Sequence, residues 1–292
     1  MSPALRALLH EVIDYAGQFP PAALSLADAS AEFHAIMGSP DRFWTRRFII
    51  KAPQLGDLSG SLQEVPLAIV ARPSGDSLRA DLTKIVDDIA ALVEEDGHPE
   101  SLEIAIPPTE PALKEALGVL KKRADDLAGT QVYFELGWGD DLADLMSEAA
   151  SIWEDTGFKA RTGGVTAAEF PSPARLAEFI HTATSLDLPF KLTAGLHDAM
   201  THPDAELGVT RFGYLNALGA AGLARSEDLS AREVHDLLLA EDVRDGAAGL
   251  SLGDLTLDES AAHDFRSIFG GFGSCSVAEP RDGLAAFLKH NS

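Results

Sequence analysis

One cysteine, Cys275, serves the whole chain of 292 residues, so no disulfide can form within it. That excludes the stapled scaffolds of small secreted proteins. Basic residues are scarce: 23 Lys and Arg stand against 46 Asp and Glu, giving a formal charge of −23 and a pI near 4.6. A surface of that sign repels nucleic-acid phosphates and anionic lipid headgroups, so no nucleic acid and no membrane is expected as a partner. Apolar runs approaching the roughly 18–20 residues of a bilayer span are absent. The opening segment, MSPALRALLHEVIDYAG, is interrupted by Arg6, Glu11 and Asp14 and lacks the apolar centre of a signal peptide. A cytoplasmic location is what these absences leave. Neither a P-loop nor a GxGxxG dinucleotide fingerprint occurs.

What is present is a regular alternation of short β-rich runs with amphipathic helical stretches, the pattern of parallel βα units. Hydrophobic residues make up 46% of the chain, enough for a sizeable core. Strands are expected at Arg47–Ala52, Pro66–Arg72, Ser101–Pro107, Gln131–Gly137, Phe158–Thr162 and Pro189–Ala194. Helices are expected at Asp76–Glu95, Pro111–Leu127, Asp141–Trp153 and Pro173–Leu186. In the first of these, Leu78, Leu82, Ile85, Ile89 and Leu92 share one face at three-and-four spacing. Val12–Ala16 supplies a first strand and Phe272–Val277 a last one, with Gly249–Leu257 competing for the eighth place.

The expected fold is therefore α/β: one (β/α)8 TIM barrel, a single domain with a long helical insertion before the last strand. That insertion, residues 197–271, exceeds any usual βα loop. It is expected to cover the barrel mouth or to form a contact in a homo-oligomer.

In such a barrel, alternate side chains point inward, and those near the carboxyl ends of strands meet at the active-site mouth. In FKARTGG this turns Lys159 and Arg161 inward; in PFKLTAG it turns Lys191 and Thr193 inward. Glu135 shares a face with Tyr133, and Glu103 with Ala105. Charges at mid-strand are expensive to bury unless paired or functional. Two lysines, an arginine and two glutamates are thus expected in one cavity, either as a catalytic cluster or as interior ion pairs.

Several of these segments resemble the class I aldolases of the deoxyribose-phosphate type, which are (β/α)8 barrels. IDYAGQFPPA (Ile13–Ala22) is similar to that family's opening segment, and LEIAIP to its strand carrying a catalytic Asp. FKARTG is similar to its Schiff-base strand, KLTAG to the strand bearing its second lysine, and FGSCS to its final phosphate loop. FPPAAL, RTGGVTA and TAGLH also resemble segments of bacterial barrel proteins without an assigned activity. The aldolase resemblance implies that Lys159 is the Schiff-base nucleophile, Lys191 a neighbouring cation that lowers its pKa, and Glu103 the proton shuttle. A nearby cation does disfavour ammonium, so the chemistry is sound. Glu in place of Asp, Arg161-Thr162 in place of a smaller hydroxyl-rich pair, and the long insertion depart from the family's pattern.

The first functional expectation is an aldolase-like lyase acting on a small anionic carbonyl compound, without a cofactor. Lys159, Lys191, Glu103 and Glu135 would be catalytic. Arg161, Thr162, Gly163, Gly164, Thr193, Gly273, Ser274 and Asn216 would bind substrate, the glycine-rich turns offering backbone N–H groups to an anion. A second expectation is a metal-dependent hydrolase or isomerase holding a divalent ion on His197, His202 and Glu135. A third is a non-catalytic ligand-binding barrel. Cys275 is expected to be a core thiol.

Overall fold

Strands that set apolar residues such as Phe48, Ile50, Ile104, Phe134, Phe158 and Phe190 on their outer face build the wall of the molecule. The computed structural model describes residues 1–58, 62, 64–74 and 77–290. Its barrel strands are β1 (Ile13–Tyr15), β2 (Thr45–Lys51), β3 (Pro66–Ala71), β4 (His98–Ala105), β5 (Gln131–Glu135), β6 (Thr156–Arg161) and β7 (Phe190–Thr193). Five short strands then lie outside the wall. β8 (His202–Asp204) and β9 (Val209–Arg211) form a hairpin, while β10 (Val243–Gly246), β11 (Gly249–Leu252) and β12 (Leu255–Leu257) form an antiparallel sheet. β13 (Phe269–Ser274) returns to the wall between β7 and β1, and the eight parallel strands close. The fold is a (β/α)8 barrel.

Helices surround it: α1 (Pro3–Leu9), α2 (Leu26–Met37), α3 (Leu78–Glu94), α4 (Glu110–Leu120), α5 (Leu142–Ile152), α6 (Pro173–Ser185), α7 (Tyr214–Glu227), α8 (Ala231–Leu238), α9 (Glu259–Ile268) and α10 (Ala278–His290). Local chemistry starts several of them. Ser172 caps α6 with Pro173 in its first turn, and Ser230 with Glu233 forms a capping box on α8. The expected start of α3 at Asp76 lies outside the described residues. α4 ends at Leu120 and runs on to Leu127 as tighter 3-10 turns, where one unbroken helix was expected.

Each strand has two faces with different tasks. Phe48, Ile50, Ile104, Phe134, Phe158 and Phe190 point outward and join the helices in the main core. Each such burial contributes roughly 1.5–3 kcal/mol. Inward, Ala16, Ile49, Ala68 and Val70 form a small separate apolar cluster on the β1–β3 side. The inward positions of β4–β7 are instead polar, and this asymmetry shapes the site.

Two expectations about the end of the chain are corrected. The last strand begins at Phe269, not Phe272, because Gly271 takes φ +106° and lies against the Val12 carbonyl; its two glycines resemble a turn in the sequence. Gly249–Leu257 is no barrel strand but the hairpin β11–β12. Residues 197–271 are not simply a cover: only the stretch through β8–β9 reaches the mouth, at His197, Asp198, Leu207 and Arg211. The remainder thickens the outer layer. α7 packs against α6, α8 and α9 and is buried from Tyr214 to Ala224. Its Gly219 and Gly222 seat Leu252 and Leu257, which a Cβ would meet at 2.6 and 2.7 Å. Among the described residues, no helix is long and apolar enough to cross a membrane.

Candidate active site

At the carboxyl ends of the strands the barrel opens on a cavity of about 950 Å³. Its floor comes from the inward positions of the strands, and its rim from the loops after β1, β3, β6, β7 and β13. Strand register brings the charged residues together. Lys159 stands opposite Lys191 across β6 and β7, and Ala105 opposite Glu135 across β4 and β5. With every second residue inward, Glu103, Glu135, Lys159 and Lys191 converge, as their spacing predicts.

Glu103 is the hub. Lys159 donates to its Oε2 at 2.8 Å, and Lys191 donates to its Oε1. The Lys159 ammonium also lies 2.8 Å from Oε2 of Glu135. Lys191 donates in addition to Asp14, whose carboxylate is 3.3 Å from Nη1 of Arg47. Arg47 reaches on to the Gly270 carbonyl at 2.9 Å and to Glu100 at 2.8 Å. Three cations and three carboxylates (Lys159, Lys191, Arg47; Glu103, Glu135, Asp14) thus form one continuous chain through the barrel. Desolvating such charges is offset only by close, well-satisfied partners, which they have.

The two lysines differ in access. Lys191 is 1% exposed, lies under the cavity rather than along it, and has the Tyr133 ring 5.5 Å from its nitrogen. Lys159 borders the cavity, as do Glu103 and Glu135. The expectation that Lys191 lowers the pKa of Lys159 is not met: burial favours the neutral amine, but Glu103 and Glu135 outweigh it and hold the ammonium above its ordinary value. Burial pushes the Glu103 carboxyl up, yet the two lysines pull it down to about 2. Glu135 follows the same logic, held below the ordinary carboxylate range by Lys159, Arg161 and Arg72.

Of the expected binding residues, Arg161, Gly164, Thr193, Gly273 and Ser274 border the cavity. Arg161 spans 3.2 Å to Glu169 and 3.8 Å to Glu135. Thr162 and Gly163 do not border it. The Thr162 hydroxyl turns into the wall and donates to the carbonyls of Thr193 and Ala194. Gly163 lets two loops touch, since a Cβ there would lie 2.8 Å from Cα of Gly195. Asn216 is far from this role: its amide accepts from Thr201 N–H at 2.9 Å and donates to the Ala240 carbonyl at 2.8 Å, tying α7 to the loops around it.

The metal triad does not assemble. His197 pairs with Glu279 at 2.6 Å, His202 lies 3.7 Å from Asp198, and Glu135 is taken by Lys159. Among the described residues no group of three His, Cys, Asp or Glu is placed to hold a metal ion. Cys275 borders the cavity half-buried instead of filling the core, and burial pushes its thiol up, which weakens it as a nucleophile.

The sequence matches no protein-family model and no curated protein.

Asp14, Arg47 and Arg72 were not singled out from the sequence. A signal exists for the first two: Asp14 is a charge between Ile13 and Tyr15, the pattern that marks Lys159 and Lys191, and Arg47 is a charge at the inward position before Phe48, weakened as a signal by Arg46 beside it.

Proposed function

We propose that the chain is an aldolase-like lyase that acts on a small anionic carbonyl compound through an imine on Lys159. The observation that carries this reading is one amine on the floor of an open cavity with a carboxylate 2.8 Å away on each of two sides. Lys159 and Glu103 also occupy the positions where the resemblance to deoxyribose-phosphate-type aldolases expects a Schiff-base lysine and a proton-shuttling carboxylate.

Attack on a carbonyl needs the free amine, so a carboxylate first takes a proton from Lys159. Glu135 suits this step, because Glu103 is already committed to Lys191. The amine nitrogen bonds to the carbonyl carbon, and two hydrogens of the former ammonium leave with the carbonyl oxygen as water. The product is an iminium with the charge that the ammonium had. The carboxylates that hold the ammonium charged therefore favour the iminium as well. That iminium withdraws the electron pair of a neighbouring C–C bond, while a carboxylate takes the proton of the hydroxyl that becomes the departing carbonyl. Protonation of the resulting enamine and hydrolysis return Lys159.

Borohydride reduction in the presence of small carbonyl compounds tests the reading, since it freezes the iminium as a stable amine adduct. A second reading, a non-catalytic barrel, is favoured by the pairing of the buried charges. It expects no adduct at any carbonyl.

A further inference from the structure

The cavity is not uniform, and its two halves ask for different parts of a ligand. The β4–β7 half carries Glu103, Glu135, Lys159 and Arg161. The β1–β3 half offers Ala16, Phe19, Ile49 and Val70, backed by buried Ala68, and no polar side chain of β1 or β2 borders it. Phe19 sits half-buried against this cluster, with the Lys51 ammonium 5.2 Å from its ring centroid. Val165, 68% exposed and unusually bare for a large apolar residue, borders the same cavity from the loop after β6.

One cation at the rim stands out. Arg72, just past β3, is exposed, borders the cavity and makes no ion pair with the described residues; its charge helps hold Glu135 below the ordinary carboxylate range. Arg161 is engaged by Glu169, and Arg211 by Asp204 at 2.7 Å. The rim on the side of β7 and β13 carries Asp198, Glu279 and Asp282, which repel an anion. An anionic ligand group is thus steered to the β3 side, next to the apolar wall. The volume also exceeds what a three-carbon compound fills.

We propose that the site takes an amphiphilic carbonyl compound, with its carbonyl carbon at Lys159, an aliphatic or aromatic arm on the Ala16–Phe19–Ile49–Val70 wall, and a carboxylate at Arg72. A polyhydroxylated chain is disfavoured, because its hydroxyls would lose water against a wall that returns no hydrogen bonds. Only the carbonyl part rests on the imine reading; the arm and the carboxylate follow from the wall and the rim.

Calorimetric titration of the full chain with carboxylates that carry no carbonyl separates the two ideas, because none of them forms an imine. From butanoate to hexanoate, affinity is expected to rise about three- to fourfold per methylene. Gluconate, with the same six-carbon skeleton, is expected to bind at least about tenfold more weakly than hexanoate. Phe19→Ser, a change in a half-exposed loop that spares the fold, should flatten the series. Arg72→Gln should weaken every carboxylate by roughly tenfold while keeping the slope. A flat series, gluconate matching hexanoate, no binding at all, or a slope untouched by Phe19→Ser would overturn the proposal. A Lys159 adduct found only with polyhydroxylated aldehydes would overturn it too, while sparing the imine.

Discussion

Lys159 and Lys191 face each other in register across neighbouring strands, yet they meet through a carboxylate, each held by a different oxygen of Glu103. The two positive charges therefore do not repel across open space. Glu103 sets the protonation of the reactive amine and the stability of the barrel interior together.

Acid should unfold the protein through this carboxylate. Glu103 has its folded pKa drawn down from 4.5 to about 2, and Glu135 is lowered as well. A depressed carboxylate contributes stability that is present above the unfolded value and lost as pH falls toward the folded one. For Glu103 this is on the order of 3 kcal/mol. Urea midpoints should be flat from pH 7 to about 5 and then fall steeply toward pH 3. Glu103→Gln should remove much of that slope, and an unchanged slope would count against the hub.

Removing one lysine at a time should not be equivalent. Lys191→Met strips the drier of the two lysines and leaves Asp14 and Glu103 each with one remaining cation, which should destabilise by about 3–5 kcal/mol. Lys159→Met leaves its carboxylates beside the open cavity, where water can reach them, and should cost less. Because both lysines share Glu103, the double variant should lose more than the sum of the two. Urea unfolding of the three variants measures the coupling; strict additivity would contradict it.

Much of this was legible in the sequence, for a physical reason. β2 through β7 alternate bulky apolar residues with anything else, and alternation with period two fixes the inward side chains once the barrel is expected. Lys159, Lys191, Glu103 and Glu135 were found that way. What failed is what one strand cannot tell about another. The dryness of Lys191 depends on Asp14 and Arg47, which arrive from the start of the chain. α7 is apolar nearly all round, so no single face marked it as part of the helix layer. The turn of the Thr162 hydroxyl toward the Ala194 carbonyl belongs to loop packing, which periodicity does not reach.

Asn216 should behave as a structural residue. It is fully buried, with its amide bonded to Thr201 and Ala240 on two sides. Asn216→Ala leaves those backbone groups without partners and should destabilise by about 2–3 kcal/mol. Carboxylate affinity at 25 °C should stay within about twofold of the parent. A selective loss of binding with stability intact would restore the ligand-contact role.

Imine formation should be slow at neutral pH and faster in alkali. The Lys159 ammonium is held above its ordinary pKa, so the attacking free amine gains population as pH rises toward and beyond 10. The trapping rate with a fixed carbonyl compound should climb steadily from pH 7 to 10. A plateau near pH 7 would mean that the amine is already free there.

The most direct measurement is peptide mapping by mass spectrometry after borohydride reduction with a panel of anionic aldehydes and ketones. The expected result is one adduct on the peptide carrying Lys159, none on Lys191, and its disappearance in Lys159→Arg. Absence of an adduct across the panel, or labelling spread over surface lysines and unchanged in Lys159→Arg, would contradict Lys159 as the reactive amine.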